Sequence, residues 1–133
     1  MNTVFADTFY YLALLNADDE AHLRAVEETT RHAGRMVTTA WVLTELADGL
    51  SRANTRAFLF RFLETLLGDP QVAVVPATHG LFQQGLDLYG RRPDKDWSLT
   101  DCISFTVMDR QRITQALTAD HHFEQAGFVA MLK

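Results

Sequence analysis

The fold is decided by one stretch in the last third of the chain, WSLTDCISF at residues 97–105. Ser98 is a favourable N-cap, and Asp101 lies three residues later, where an acid suits the first turn of a helix. The residues that follow are almost all apolar, which predicts a helix that is buried on several sides. A carboxylate at the head of such a helix is held rigidly, as a catalytic or metal-binding acid must be. Simple capping by Asp101 is the alternative, which is weakened because Asp reaches back less far than Glu or Gln.

The composition is that of an ordinary globular protein. The chain has 133 residues, of which 47% are hydrophobic and 22% charged, and this predicts one folded domain over residues 1–133. The single cysteine, Cys102, lies within the apolar helix, so we expect neither a disulfide framework nor a cysteine zinc site. A reduced, cytoplasmic compartment is therefore expected. No apolar run approaches the roughly 20 residues that cross a membrane, so no membrane association is expected.

The charge balance restricts the possible functions. The formal net charge is −5, whereas a protein that binds nucleic acid through charge alone should be basic. An acidic balance is compatible with an enzyme that meets phosphates through divalent cations, since excess carboxylate then serves to hold the cations.

Short apolar runs alternate with helical segments along the chain. The predicted strands lie at residues 3–6, 36–39, 72–75, 113–118 and 127–131. The predicted helices lie at residues 7–15, 20–33, 40–50, 52–67, 78–89 and 98–112, with a helical turn from 121. We expect Gly34 to end the second helix, and Phe58 and Phe60 to join the core. This alternation predicts an α/β fold with a central parallel sheet and helices on both faces.

Four acids are predicted to converge at one edge of this sheet. Asp7 follows the first strand and Asp120 follows the fourth, and ligands of open parallel sheets bind outside the carboxyl ends of the strands. Asp101 and Glu45 lie near the starts of helices that enter from the same side. Each acid has a structural alternative: Asp7 is a possible N-cap, and Glu45, expected close to the apolar face of its helix, is a possible salt-bridge partner.

Clustered carboxylates repel one another, and without a partner some of them would have to take up protons. A divalent cation removes that penalty, and all-oxygen ligands favour Mg²⁺ or Mn²⁺ over zinc or copper. Cations held in this way polarise a phosphoryl oxygen and lower the pKa of a bound water. The pattern therefore indicates metal-assisted phosphodiester hydrolysis.

The sequence resembles the PIN-domain family and, within it, the VapC-like ribonuclease toxins. The resemblance rests on an ordered set of pieces, VFADT at 4–8, TEL at 44–46, DWSLTDC at 96–102, TADHHF at 118–123 and AGF at 126–128. It implies a three-layer α/β/α fold and a Mg²⁺- or Mn²⁺-dependent endoribonuclease that cleaves RNA with a metal-activated water. It also implies a homodimer and a cognate antitoxin that covers the crevice.

The resemblance also assigns the site residues by position. Asp7, Glu45 and Asp101 match the three principal acids of the family, and Asp120 matches the more variable fourth; all four are expected to bind metal and to be catalytic. The residues expected to position the phosphate are Thr8, Ser98, Thr100 and Lys95, with Arg91 as a further candidate. His121 and His122 match a pattern that we interpret as structural.

Two other functions stay open. One is a metal-dependent enzyme of another kind on a related fold, a nuclease that acts on DNA or a phosphatase. The other is a catalytically inactive PIN-like interaction module, which the presence of all the principal acids disfavours. The sequence does not distinguish transfer, ribosomal and messenger RNA as targets, because such specificity resides in surface shape and loops.

Overall fold

The computed structural model describes residues 2–133 of the chain. Strands and helices alternate along most of this range, as the apolar runs predict. In chain order, the elements are β1 (Thr3–Ala6), α1 (Thr8–Leu15), α2 (His22–Arg31), β2 (Arg35–Thr39), α3 (Ala40–Gly49), α4 (Ala53–Leu67), β3 (Val72–Val75), α5 (His79–Arg91), α6 (Leu99–Gln111), β4 (Gln115–Leu117), α7 (His121–Gln125) and β5 (Val129–Ala130).

The strands form one sheet in the order β3-β2-β1-β4-β5, and every neighbouring pair is parallel. The predicted α/β/α class with a central parallel sheet is thereby confirmed. β1 lies at the centre, and its residues 4–6 are fully buried, which explains their continuous apolar sequence. Because all strands run the same way, their carboxyl ends meet at one edge, and β1 and β4 deliver Asp7 and Thr118 there as neighbours.

The helix that follows the deciding stretch is buried as predicted. In α6 the buried residues point in several directions around the axis and include Cys102, Ile103, Phe105 and Met108. A helix enclosed on several sides holds its first turn firmly, and Asp101 lies in that turn.

Several predicted strands and helices are longer than those in the structure. β4 and β5 are shorter than the apolar runs, and α2 ends at Arg31, so Gly34 does not end that helix. Gly34 is instead required by a close approach of the chain, because a Cβ atom there would lie 1.8 Å from the carbonyl oxygen of Asn2.

The expectation that Phe58 and Phe60 join the core was wrong. Their side chains on α4 are 51% and 62% exposed, and Leu59 between them is the buried residue of that helix. α4 packs on β3 at the end of the sheet, so one narrow stripe of the helix meets the core. Within residues 2–133, no helix is long and apolar enough to cross a membrane.

The packing of α5 on α6 depends on Gly85. A Cβ atom at this position would lie 2.3 Å from Ile103 Cγ1 and 3.2 Å from Ile103 Cα. Ile103 is β-branched and part of its contact is backbone, so it has little room to move. We expect Gly85→Ala to lower the free energy of unfolding by about 1–2 kcal/mol, since overpacking outweighs the gain in helix propensity.

Urea unfolding measures this change, and Gly90→Ala on the same helix is the matched control. A Cβ atom at position 90 would meet nothing within 4 Å, so that variant should equal or exceed the wild type in stability. Equal stability of the two alanine variants would show that α5 and α6 can separate without cost.

Candidate active site

Asp7 lies directly after β1, at the carboxyl edge of the sheet. It stands at the N-cap position of α1, but its side chain makes no capping hydrogen bond. Its Oδ2 instead accepts a hydrogen bond from Thr118 Oγ1 at 3.0 Å, across 111 residues of sequence. The residue is only 5% exposed. Capping therefore does not explain this buried acid.

The surroundings of Asp7 disfavour its ionised form. Burial raises the pKa of Asp7 to about 7, and the hydrogen bond from Thr118 opposes this rise. The negative charges of Asp101 and Glu45 raise the pKa further, so both acids lie close enough to act on it. Asp7, Asp101 and Glu45 are thus near neighbours at this edge of the sheet.

Asp101 lies in the first turn of α6 and completes a capping box with Ser98. Asp101 N donates to Ser98 Oγ at 2.9 Å, and Ser98 N donates to Asp101 Oδ2 at 3.2 Å, so the shorter reach of Asp does not prevent capping. His122 Nδ1 lies 3.1 Å from the same Oδ2. Burial raises the pKa of Asp101, while Ser98 and His122 lower it. Capping engages one carboxylate oxygen and leaves the second as a possible metal ligand.

Glu45 occupies the exposed face of α3. The expectation that it lies close to the apolar face was wrong, because the buried residues of this helix are Val42, Leu43 and Leu46. Thr8 Oγ1 donates to Glu45 Oε1 at 2.5 Å. The described partner of Glu45 is thus a hydroxyl rather than a basic side chain, and that hydroxyl belongs to the residue next to Asp7.

Asp120 caps α7 and is tied to the other acids through two side chains. Its Oδ1 accepts from the backbone N–H of His122 at 2.9 Å. Thr118 Oγ1 accepts from Asp120 N at 3.1 Å and donates to Asp7, which joins these two acids. The His122 ring lies between Asp120 Oδ1, at 3.5 Å, and Asp101 Oδ2, at 3.1 Å.

Ligand-type atoms are most closely grouped at the start of α7. Single ligand atoms of Asp120, His121 and His122 all lie within 4.8 Å of one another. In the described range 2–133, no three of the four predicted acids come that close. The acids are therefore linked through hydrogen bonds and charge rather than through direct carboxylate contacts.

The predicted phosphate-positioning residues divide into two groups. Thr8 and Ser98 contact the acids, Glu45 and Asp101 respectively. Thr100 lies half-buried in the first turn of α6, and among residues 2–133 its side chain makes no hydrogen bond to an acid. The two basic side chains contact other groups near them in sequence: Lys95 Nζ lies 3.9 Å from Asp94 Oδ2, and Arg91 Nε donates to the carbonyl of Asp87.

Known proteins with a similar sequence show which family this chain belongs to. A family model described as the PIN domain matches residues 4–129. The chain belongs to the PIN-domain family. It is also 31% identical over 131 residues to the 23S rRNA-specific endonuclease VapC20 from two strains of Mycobacterium tuberculosis, with 95% of both chains covered. The predicted resemblance to VapC-like ribonuclease toxins is thereby confirmed, and the chain is a PIN-domain nuclease of that type.

Solved structures agree with this assignment. The crystal structure of M. tuberculosis VapC20, described as a sarcin-ricin loop cleaving toxin, matches with a TM-score of 0.86 and 28% identity over 95% of this chain and 96% of that chain. VapBC2 from Rickettsia felis, bound to promoter DNA, matches at 0.69 with 11% identity over 96% of each chain. FitAcB from Neisseria gonorrhoeae matches at 0.66 with 15% identity over 96% and 94%. The last two show the fold alone.

Two residues that link the acids were not predicted to do so: Thr118 was assigned no role, and His122 was interpreted as structural. Thr118 joins Asp7 to Asp120, and His122 joins Asp120 to Asp101. The available signal was their position two residues before and two residues after Asp120. Nucleases of the PIN family generally use a divalent metal, and the donor set here fits one, because a buried carboxylate with a raised pKa is stabilised by a nearby cation.

Proposed function

We propose that this protein is a Mg²⁺- or Mn²⁺-dependent endoribonuclease and the toxin component of a toxin–antitoxin pair. Its metal-binding and catalytic residues would be Asp7, Glu45, Asp101 and Asp120. The observation that carries the proposal is Asp7, a buried carboxylate coupled to two further acids at the carboxyl edge of the sheet. A buried carboxylate without a counter-ion lowers stability, and a bound cation compensates for that cost.

The choice of ion follows from the donor atoms. Carboxylate oxygens suit Mg²⁺ and Mn²⁺, and one imidazole nearby, that of His122, is better tolerated by Mn²⁺. When bound, the ion supplies Lewis-acid polarisation of the phosphodiester and lowers the pKa of a water molecule toward neutrality.

The surrounding side chains orient the acids for this task. Thr118 fixes the Asp7 carboxylate by donating to Oδ2, and Thr8 fixes Glu45 by donating to Oε1. Ser98 and His122 hold Asp101 from two sides. Rigid orientation of the acids matters because hydrolysis of a phosphodiester depends on placing the scissile phosphate and the attacking water in line.

The proposed substrate is a structured loop of ribosomal RNA. VapC20 is named as a 23S rRNA-specific endonuclease, and this chain matches it at 31% identity over 95% of its length. The alternative of a nuclease acting on DNA has no comparable support in the sequence relatives.

We further propose a cognate antitoxin and a homodimer, in the cytoplasm. Support for a protein partner comes from one side of α4, where Phe60 and Leu67 lie two turns apart and are both more than half exposed. Apolar side chains exposed together on one helix mark an interaction surface. Light scattering of the chain alone tests the homodimer, and a monomer at micromolar concentration would contradict it.

Metal titration calorimetry tests the proposed site. We expect Mn²⁺ and Mg²⁺ to bind the wild-type chain, and Asp101→Asn to weaken binding by at least about a hundredfold, since even outer-shell partners of a metal cost 10–100-fold in affinity. Asp48→Asn is the matched control, because Asp48 is exposed on α3 one turn beyond Glu45.

The opposite result would change the assignment. A folded wild-type chain that binds neither ion would reduce the four acids to caps and hydrogen-bond acceptors. The catalytically inactive interaction module would then be the better description.

A further inference from the structure

The two histidines at the start of α7, His121 and His122, differ from the other histidines of the chain. Each lies beside a carboxylate, because His121 Nδ1 is 3.6 Å from Asp120 Oδ1 and His122 Nδ1 is 3.5 Å from the same oxygen. The remaining three of the five histidines contact backbone carbonyls or a glutamine amide. Within residues 2–133, imidazoles and a carboxylate are therefore gathered in one cluster, at the start of α7.

The three side chains of this cluster are spaced almost as the ligands of one metal ion are. A tetrahedral ion with ligands at 2.0–2.1 Å separates its donor atoms by about 3.4 Å. The two distances from Asp120 Oδ1, 3.6 and 3.5 Å, are close to that spacing. The distance between the two imidazoles is the one left to adjust, and the side chain of His121 is 65% exposed and can turn toward an ion.

Two imidazoles and one carboxylate select a different class of ion from the four acids. Nitrogen donors suit first-row transition metals such as Zn²⁺, whereas Mg²⁺ prefers oxygen donors. Sites with three protein ligands of this kind keep further coordination positions open for water or another ligand. The nitrogen donors of the cluster therefore favour a transition metal over Mg²⁺.

No basic side chain competes for this cluster in the described part of the chain. Every ion pair that a lysine or arginine forms within residues 2–133 lies elsewhere, at Glu28, Asp94 or Glu124. The His122 side chain is 18% exposed and is held between two carboxylates, so its ring is already positioned. His121 is open to solvent, which gives an ion access to the cluster.

We propose that Asp120, His121 and His122 bind a divalent transition-metal ion, represented by Zn²⁺, and that this ion antagonises Mg²⁺ at the four acids. Binding of Zn²⁺ withdraws Asp120 from the Mg²⁺ site. It also occupies the His122 nitrogen that lies 3.1 Å from Asp101 Oδ2, so Asp101 loses that contact. Two divalent cations at adjoining ligands also repel each other. The antagonism rests on the proposed function, in which the acids hold Mg²⁺, whereas the binding of Zn²⁺ does not.

Proton NMR of the histidine rings tests the site in the absence of RNA. Titration of the metal-free chain with Zn²⁺ should shift the ring resonances of His121 and His122 saturably and leave those of the other three histidines in place. His121→Asn removes one ligand at an exposed position, so the fold should be retained. Zn²⁺ binding, followed at His122, should then weaken about tenfold or more, since even outer-shell partners of a metal cost 10–100-fold in affinity.

His79→Asn is the matched control, because His79 is exposed and is the first residue of α5, as His121 is of α7. It should leave the Zn²⁺ affinity at the wild-type value. Zn²⁺ that shifts neither histidine of α7, or that binds His121→Asn as tightly as the wild type, would overturn the site. Equal weakening by the two substitutions would also overturn it and would indicate general attraction of the ion to surface histidines.

Titration calorimetry tests the antagonism between the two ions. Saturation with Zn²⁺ should weaken Mg²⁺ binding about tenfold, within the usual range of coupling between two sites. In buffer without Zn²⁺, His121→Asn should bind Mg²⁺ as the wild type does, and it should need about tenfold more Zn²⁺ for the same loss of Mg²⁺ affinity. An equal effect of Zn²⁺ on both chains would show that it simply replaces Mg²⁺ at the acids, and the proposal would fail.

Failure of this proposal is distinguishable from failure of the proposed function. A chain that shows the histidine shifts but neither binds Mg²⁺ nor cleaves RNA would overturn the nuclease and the antagonism and leave the Zn²⁺ site intact. A chain that binds Mg²⁺ and cleaves RNA without any histidine shift would overturn the Zn²⁺ site and leave the nuclease intact.

Discussion

Replacing Asp7 by Asn is expected to lower the rate of RNA cleavage by about a thousandfold, the loss that follows when several kcal/mol of metal-derived stabilisation of the transition state are removed. Asn keeps the size of the side chain and an oxygen that can accept the hydrogen bond from Thr118, so the fold should be retained. The change removes the negative charge at the most buried of the four acids. Single-turnover cleavage of an RNA hairpin carrying the sarcin-ricin sequence, with Mn²⁺ in excess, measures this effect.

Asp48→Asn provides the control for this experiment, since it removes the same charge from an exposed position on α3. It should cleave at close to the wild-type rate. The same hairpin sequence made as DNA tests the competing assignment, and faster cleavage of DNA than of RNA would support it. Cleavage at the wild-type rate by a folded Asp7→Asn chain would show that this acid does not take part in the reaction.

The sequence was sufficient to place Asp7 and Asp120 because their positions follow from a simple rule. A short apolar run that ends in an acid gives a buried parallel strand with a carboxylate at its carboxyl end. Sheet order was not needed for this conclusion, since the carboxyl ends of all parallel strands share one edge. The structure adds that β1 and β4 are neighbours, which is why Thr118 can reach Asp7.

The orientation of helices was less predictable. Glu45 and the two phenylalanines Phe58 and Phe60 lie on apolar helices, and the pattern did not reveal which stripe of each helix meets the core. Hydrophobic side chains are often exposed at surfaces that bind another protein, so an apolar residue is not necessarily a buried one. Only the packing of α3 and α4 against the sheet decides these positions.

The contacts of Thr118 and His122 with the acids were not predicted, for a different reason. Their contacts join residues that are distant in sequence, 111 positions in one case and 21 in the other, and no local periodicity encodes such pairs. The capping role of Asp101 illustrates the reverse problem. Capping and ligand roles were weighed as alternatives, whereas the two oxygens of one carboxylate can serve both.

The acid that should serve catalysis should also lower the stability of the metal-free protein. A buried carboxylate is retained at Asp7 although it lies near two like charges, Asp101 and Glu45. Functional sites commonly carry such a penalty, because optimising stability there would remove the group that reacts. In this chain either a proton or a cation on Asp7 would restore the lost stability, and the two effects can be measured separately.

Asp7→Asn is accordingly expected to stabilise the metal-free chain, and increasingly so as the pH rises. Burial raises the pKa of Asp7 to about 7 in the folded state. Between about pH 4 and pH 7 the unfolded chain therefore releases a proton that the folded chain still holds, and the wild-type stability falls by at most about 4 kcal/mol before it levels off. Asn has no such proton, so the free energy of unfolding of the variant should exceed that of the wild type by a margin that is small near pH 4 and largest above pH 7. Urea unfolding in EDTA at several pH values measures this margin.

Added Mn²⁺ should then narrow the stability margin between variant and wild type. The ion binds only the folded wild type and contributes about 2.7 kcal/mol at a hundredfold excess over its Kd. A margin that stays constant from pH 4 to pH 8 would mean that Asp7 is ionised throughout in the folded chain, and the electrostatic argument for a cation at this site would fail.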